Sequence, residues 1–564
     1  MPGLSSDVEP PSRFSRRHLL RGLGATAAIA AVTSLLQACQ ATPSSSTSPA
    51  ATRGATAPAQ GAAAPTAAAV APAAASQPRR GGTLNVGLPV DPGTMDTRLQ
   101  NDTSAANIND LCYNGLVVID ANITPQPDLA TSWETPDPTT YIFHLRQGVT
   151  FHDGSPLTAE DVKYTFETMV DPAFKSPRRS LYAPVQSVEV VDPQTAKFTL
   201  SQPYAPLLSY MDVGIVSKAT AGQPGNTLSE APMGTGPFKF TSWEKGNRII
   251  LGAFDGYHAG RPNLDGVVLQ IIPDNGVRAV GIESGSLDLI QSPLNAEDVN
   301  RLKTNAKIKT SQTTGLGITY INLNTGDPLL RDKRVRQALA WLTDRDTIAS
   351  TIYGNMDQPG KSSLLPGTWF ADDSVQGYGY DPAKAKTLLQ DAGWAPGSDG
   401  ILQKGGQRFQ LNLTTYNDPN RMQLLQFLQN SWRQAGVDVN ASYTEWPPFI
   451  DAVQNGKYQA SIIGWLLLVD PDRAMYRQFS TKGDSNWGKY ANDQVDNLLQ
   501  DARQKSDQAT RKKGYADAAK LILDDSPYIY VTYQGYVAMT RDNVQGYVVN
   551  PSQSIKGIEK AWLA

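Results

Sequence analysis

Three stretches of this chain carry residue types that could do chemistry. Residues 461–473, SIIGWLLLVDPDR, set a tryptophan and four aliphatic residues ahead of Asp470-Pro471-Asp472. Taken alone, that run reads as a core strand, the wall of a ligand pocket or the acid pair of an enzyme. His152-Asp153-Gly154 offers a metal ligand or half of a catalytic dyad, but Asp-Gly after an alternating strand is a turn signal, and the nearest other histidine is His144. In MGTGPF, Gly234 and Gly236 could cradle a phosphate or make a tight turn where a strand begins. The chain has no P-loop, dinucleotide-binding glycines, nucleophile elbow or HExxH. Its histidines are too scattered to predict a metal site, and no cofactor is expected. A glycosidase-like carboxylate pair stays open, because the separation of such a pair is set by the fold.

Those residues need a scaffold, and 564 residues exceed what one core of about 250–300 organises, so at least two lobes are expected. A net charge of −3 with 18% charged residues gives no basic surplus for nucleic acid, which points to a small-molecule or protein partner. The N-terminus reads as an address. Ser15-Arg16-Arg17-His18-Leu19-Leu20 resembles a twin-arginine export motif, and Leu36-Gln37-Ala38-Cys39 resembles a lipobox that would place lipid on Cys39. Cys112 would then be the one thiol left, and an intramolecular disulfide is excluded. Residues 40–78 are almost wholly Ala, Pro, Ser, Thr, Gly and Gln, a composition that reads as a tether spanning roughly 35 Å.

From Arg80 onward, short β-rich runs alternate with amphipathic helices, the pattern of an α/β protein. The spacing predicts a strand over 81–89, a hairpin over 141–154, and a helix capped at Thr158. It also predicts helices over 331–354, 381–393 and 422–435, with strands over 437–446 and 458–468.

Several segments, in chain order, resemble the peptide/nickel class (family five) of solute-binding proteins that serve ABC importers. They are GGTLNVGLPVDPGTMD at 81–96, LATSWETPDPTTYIFHLRQGVTFHDGSPLTAEDVKYTFE at 129–167, APMGTGPFKF at 231–240, RVRQALAWLTDRDTI at 334–348, YGYDPAKAKTLLQDAGW at 378–394 and YANDQVDNLLQDA at 490–502. The resemblance implies a two-lobed, type II periplasmic-binding-protein (venus flytrap) fold with an extra domain inserted in lobe one. Lobe one would be 81–123, 232–312 and 530–564, the inserted domain 124–231, and lobe two 313–529. Such lobes close on a ligand by hinge motion.

In peptide-binding members an aspartate shortly before Asp-Pro pairs with the ligand ammonium. Here Leu466-Leu467-Leu468-Val469 carries no acid, so the ammonium anchor is missing unless Asp470 or Asp472 substitutes. Arg421 falls where relatives hold a carboxylate, and otherwise reads as a solvated first-turn arginine. Trp465, Trp446 and Trp487, with Leu467, Leu468 and Asp470, are expected to line the cleft from lobe two, and Asp96 and Tyr113 from lobe one. The expectation is a monomeric, lipid-anchored extracytoplasmic receptor with no metal and no enzymatic activity. It would pass a peptide, oligosaccharide or similar small solute to ABC permease subunits. A secreted peptide or glycan hydrolase on a similar scaffold is the alternative.

Overall fold

The computed structural model describes residues 77–564 apart from 292–293 and 467. The export and lipidation motifs at Arg16, Arg17 and Cys39, most of the tether, and Leu467 lie outside the described residues. Among those described, no helix is long and apolar enough to cross a membrane.

An eleven-stranded sheet runs through the molecule. In chain order its strands are β1 (Thr83–Leu88), β2 (Phe238–Glu244), β3 (Arg248–Ala253), β4 (Gly266–Ile271), β5 (Leu289–Ile290), β6 (Ile308–Leu323), β7 (Gln358–Pro359), β8 (Gln410–Tyr416), β9 (Asp438–Thr444), β10 (Ala460–Trp465) and β11 (Tyr528–Arg541). Their spatial order is β9-β8-β10-β6-β11-β5-β1-β4-β3-β2, with β7 also on β11. One side of the sheet, β5-β1-β4-β3-β2, is thus assembled from strands scattered along the chain, and the other side is β10, β8 and β9.

Between these two sides of the sheet stand β6 and β11. Sixteen and fourteen residues long, they pair antiparallel from Ile308 opposite Arg541 to Asn322 opposite Tyr528. The register breaks between Thr314 and Ile318. Gly315 and Gly317 stand there, and Gly535 faces them from β11. A side chain on Gly315 would strike the Tyr536 ring, and one on Gly535 would lie 1.9 Å from the Met356 carbonyl. Glycine is therefore required by close approach, which leaves both strands locally bendable.

A separate four-stranded sheet, ordered Ala130–Asp137, Thr140–Leu145, Thr195–Leu200, Val185–Asp192, carries the helix Ala159–Val170. Phe166 meets Phe198 and Tyr182 edge-on at 5.0 and 5.3 Å, and Thr158 N donates to the Asp161 carboxylate at 2.9 Å to start the helix. Here the predicted hairpin over 141–154 is corrected. Thr140–Leu145 pairs with the preceding strand, the chain leaves the sheet at Gly148 (φ 73°), and residues 149–157 fold into their own small turn. This unit is fastened to the C-terminal segment through the buried Asp128, which Lys556 contacts at 2.7 Å and Asn114 at 3.0 Å.

The helices of the second half obey their caps. α1 (Pro419–Gln434) is started by Asp418 and ends before Gly436, followed by α2 (Trp446–Gln454), α3 (Pro471–Phe479), α4 (Asp493–Gln504) and α5 (Gln508–Asp525). Two predicted boundaries change. The segment 331–354 is two helices, Lys333–Trp341 and Arg345–Thr351, because Asp344 caps a second start. The strand predicted over 458–468 stops at Trp465, where the chain leaves β6 and Leu468 N returns to the Leu316 carbonyl.

Candidate functional site at the hinge end of β10

Strand β10 is buried over Ala460–Ile463 and half-exposed at Gly464 and Trp465, so it delivers its C-terminal end from the core to the pivot level of β6. Three side chains converge there. Trp465 lies 5.8 Å from Trp487, their planes inclined by 53°, and the Arg477 guanidinium sits 5.4 Å above the Trp465 ring. The indole Nε1 of Trp465 is shielded and has no hydrogen-bond partner. Leu466, the next residue, is 41% exposed.

Arg421 is the more informative residue. Its backbone N–H is capped by Asp418 at 2.9 Å, which fixes it in the first turn of α1, but the side chain is turned inward. At 7% exposure it is not the solvated first-turn arginine that the sequence also allowed. Its Nη2 and the Gln534 amide nitrogen pass so close over Gly464 that a Cβ there would meet them at 2.9 and 3.3 Å. Burial opposes the charge, yet Tyr353, Tyr416 and Asp418 hold the guanidinium above its ordinary basicity, so it stays cationic. Nη1 has no hydrogen-bond partner, nor has the neighbouring Tyr353 hydroxyl. A buried cation with an unused donor is costly unless something comes to accept from it. Trp446 extends this patch. It is exposed and meets Tyr416 edge-on at 5.0 Å.

The remaining expected positions have other work. Asp470 is fully buried: its carboxylate caps α3 through Asp472 N at 3.0 Å and takes the Arg511 guanidinium at 2.7 Å. Asp472 in turn is paired with Arg503. Leu468 has no exposed surface and packs in the core. Asp96 is clamped by Arg98 through two contacts of 3.0 and 2.7 Å. Tyr113 fills the space that Gly214 and Gly234 leave open, with a Cβ on either glycine falling 2.5 Å from its side chain. Neither Asp96 nor Tyr113 offers surface to a ligand in this conformation. His152 holds the Gly234–Gly236 turn, 3.0 Å from the Gly236 carbonyl, and His144 meets Glu134 on the surface. Sequence reasoning missed Gln534, Tyr353 and Tyr416, whose polar types carry no periodic signal. It also passed over Arg473, the last letter of the opening stretch. A hollow of about 390 Å³ lies elsewhere, between α1 and the helix Pro382–Asp391.

Aromatic rings and a buried cation with one unpartnered donor thus gather beside the two long strands at the middle of the sheet. The chain belongs to the bacterial extracellular solute-binding proteins, family 5, whose model matches residues 124–487. It is 30% identical over 517 residues to the oligopeptide-binding protein AppA of Bacillus subtilis, covering 86% of this chain and 93% of that one. To the dipeptide-binding protein of Escherichia coli it is 31% identical over 477 residues, 78% of this chain and 86% of the relative. The solved AppA structure, in complex with a nonapeptide, superimposes with a TM-score of 0.73 at 29% identity, covering 86% of this chain and all of that chain. The fold is that of the type II periplasmic binding proteins, and the protein is a solute-binding component of an ABC importer, not an enzyme; the hydrolase alternative finds no support.

Proposed function

We propose that this chain is a lipid-anchored receptor on the outer face of the cell membrane that captures a peptide or peptide-like solute and presents it to ABC permease subunits. Lipid on Cys39 after twin-arginine export, with 39–80 as tether, gives the body reach without a membrane helix. Lobe one comprises 81–123, 232–312 and 530–564, the inserted domain 124–231, and lobe two 313–529. The guest lies against Trp465 and Trp487, with Trp446 at the rim, and Arg421 receives a carboxylate. The observation that carries this reading is the buried Arg421 with its unpartnered Nη1 beside the pivot glycines. The names of the relatives support a peptide over a sugar, and the aromatic rings would serve either.

Native mass spectrometry and calorimetry on the full chain with separate peptide and oligosaccharide pools test it. Micromolar binding of peptides, about −8 kcal/mol, is expected, with Arg421→Gln weakening it roughly tenfold or more. Binding of oligosaccharides alone, unaffected by that substitution, would overturn the peptide reading.

A further inference from the structure

A second row of cations leads away from Trp465. Arg473 and Arg477 are one turn apart on α3, and Arg178, Tyr210 and Asp212 lie within electrostatic reach of Arg473. Arg477, which covers Trp465, is neutralised by Asp484 at 2.8 and 3.0 Å. Among the described residues, Arg178 has Asp212, at 3.9 Å, as its ion-pair partner. The Arg473 side chain has no hydrogen bond or ion pair among the described residues, and its Nε is shielded from solvent without a partner. Burial, with Arg178 and Arg477 adding to it, lowers its basicity. The two acids that could balance this row are thus one fully engaged and one loosely held, while Asp470 and Asp472 belong to Arg511 and Arg503.

This charge arrangement is the reverse of what a free ammonium needs. The acid expected before Asp470-Pro471 is absent, leucines stand in its place, and an unpaired arginine follows three residues after Asp470. We infer that Arg473, supported by Arg178, receives an acidic group of the solute, so that this receptor selects ligands bearing an oxyanion, and not an ammonium, at the α3 end of the site. Together with Arg421 the site then suits a guest with two acidic ends. This deepens the receptor reading given above and rests on it. Carboxylate is the simplest chemistry, and phosphate or sulfonate would satisfy the same guanidinium.

The test uses one dipeptide in three forms, N-succinylated, N-acetylated and free-amine, titrated calorimetrically into the full chain and into Arg473→Gln. The expected order is succinyl over acetyl over free amine, with roughly tenfold or more between the first and the last. Arg473→Gln should bring the succinyl form to the level of the acetyl form and leave the acetyl form unchanged, while Arg473→Lys retains part of the preference. A free-amine form that binds as well as the succinylated one, or equal loss of all three forms in Arg473→Gln, overturns the inference. If no form binds, the peptide reading fails, and the anion site is judged by thermal shift with glutarate and with inorganic phosphate. A shift in the wild type that Arg473→Gln removes supports the site, and its absence from the wild type or its persistence in the variant refutes it. Whichever of the two probes gives the larger shift assigns carboxylate or phosphate.

Discussion

At Gly464 a single hydrogen atom in place of a methyl group decides where a charge sits. The Arg421 guanidinium, the Gln534 amide and the Ile318 carbonyl crowd this residue, so that a Cβ would meet them at 2.9, 3.3 and 3.0 Å. Gly464→Ala should therefore push Nη2 aside, weakening peptide binding roughly tenfold or more if that group meets a ligand carboxylate, and should lower the melting temperature modestly through the Ile318 contact. Calorimetry beside a melting curve checks this, and unchanged affinity would mean that Arg421 does not touch the guest. Why such residues were or were not legible in the sequence follows from what fixes them. The half-exposure of Trp465 was legible in that it stands at the end of an apolar run, where the strand leaves the core. Arg421 was readable in position but not in orientation, since the Asp418 cap specifies only its backbone. Asp470 misled, because a carboxylate in a loop before proline reads alike whether it meets a ligand or, as here, caps a helix and receives an arginine 41 residues away in sequence.

Elements were more legible than sites, and the exceptions are instructive. Caps and glycine stops predicted most helix limits, but a strand seen as one half of a hairpin paired instead with the segment before it, because Gly148 turns the chain away. The turn that follows is held to the Gly234–Gly236 segment by His152, whose acidity is displaced to about 4, chiefly by burial and against the opposing effect of the Gly236 carbonyl. The direction of the resulting pH effect follows directly. Between pH ~6.5 and about 4 the unfolded chain takes up a proton at this histidine and the folded one does not, so stability falls as pH falls through that window. The full effect is at most between about 3 and 4 kcal/mol, reduced by the solvent that reaches the partly exposed ring. His152→Gln should flatten the dependence of the urea midpoint on pH between 7 and 4. An unaltered slope would assign the acid sensitivity to carboxylates elsewhere.

For the molecule as a whole, β6 and β11 are the long strands at the middle of the sheet, and their pairing shifts register between Thr314 and Ile318 and again between Thr319 and Tyr320; the proposed closure of two lobes would bend them there. Closure that takes a population from 1:99 to 99:1 needs about 5.5 kcal/mol of differential affinity, most of the roughly 8 kcal/mol that a micromolar ligand supplies. Binding is therefore sensitive to any change in the ease of bending, including changes that touch no ligand atom. Gly535 tests this directly. A methyl there would lie 1.9 Å from the Met356 carbonyl, a backbone atom that can yield only by moving the strand itself. Gly535→Ala is expected to lower the melting temperature by several degrees and to shift the ligand-dependent contraction seen by small-angle scattering to higher concentrations. Gly317→Ala is the control, since the atoms nearest its Cβ would be the movable ends of Gln534 and Leu466, at 2.5 and 2.9 Å. It should spare the melting temperature more than Gly535→Ala does, while disturbing the side chain that shares Gly464 with Arg421. If Gly535→Ala contracts at the same ligand concentration as the wild type, the bend lies elsewhere than at the level of Gly315 and Gly535, and these glycines serve packing alone.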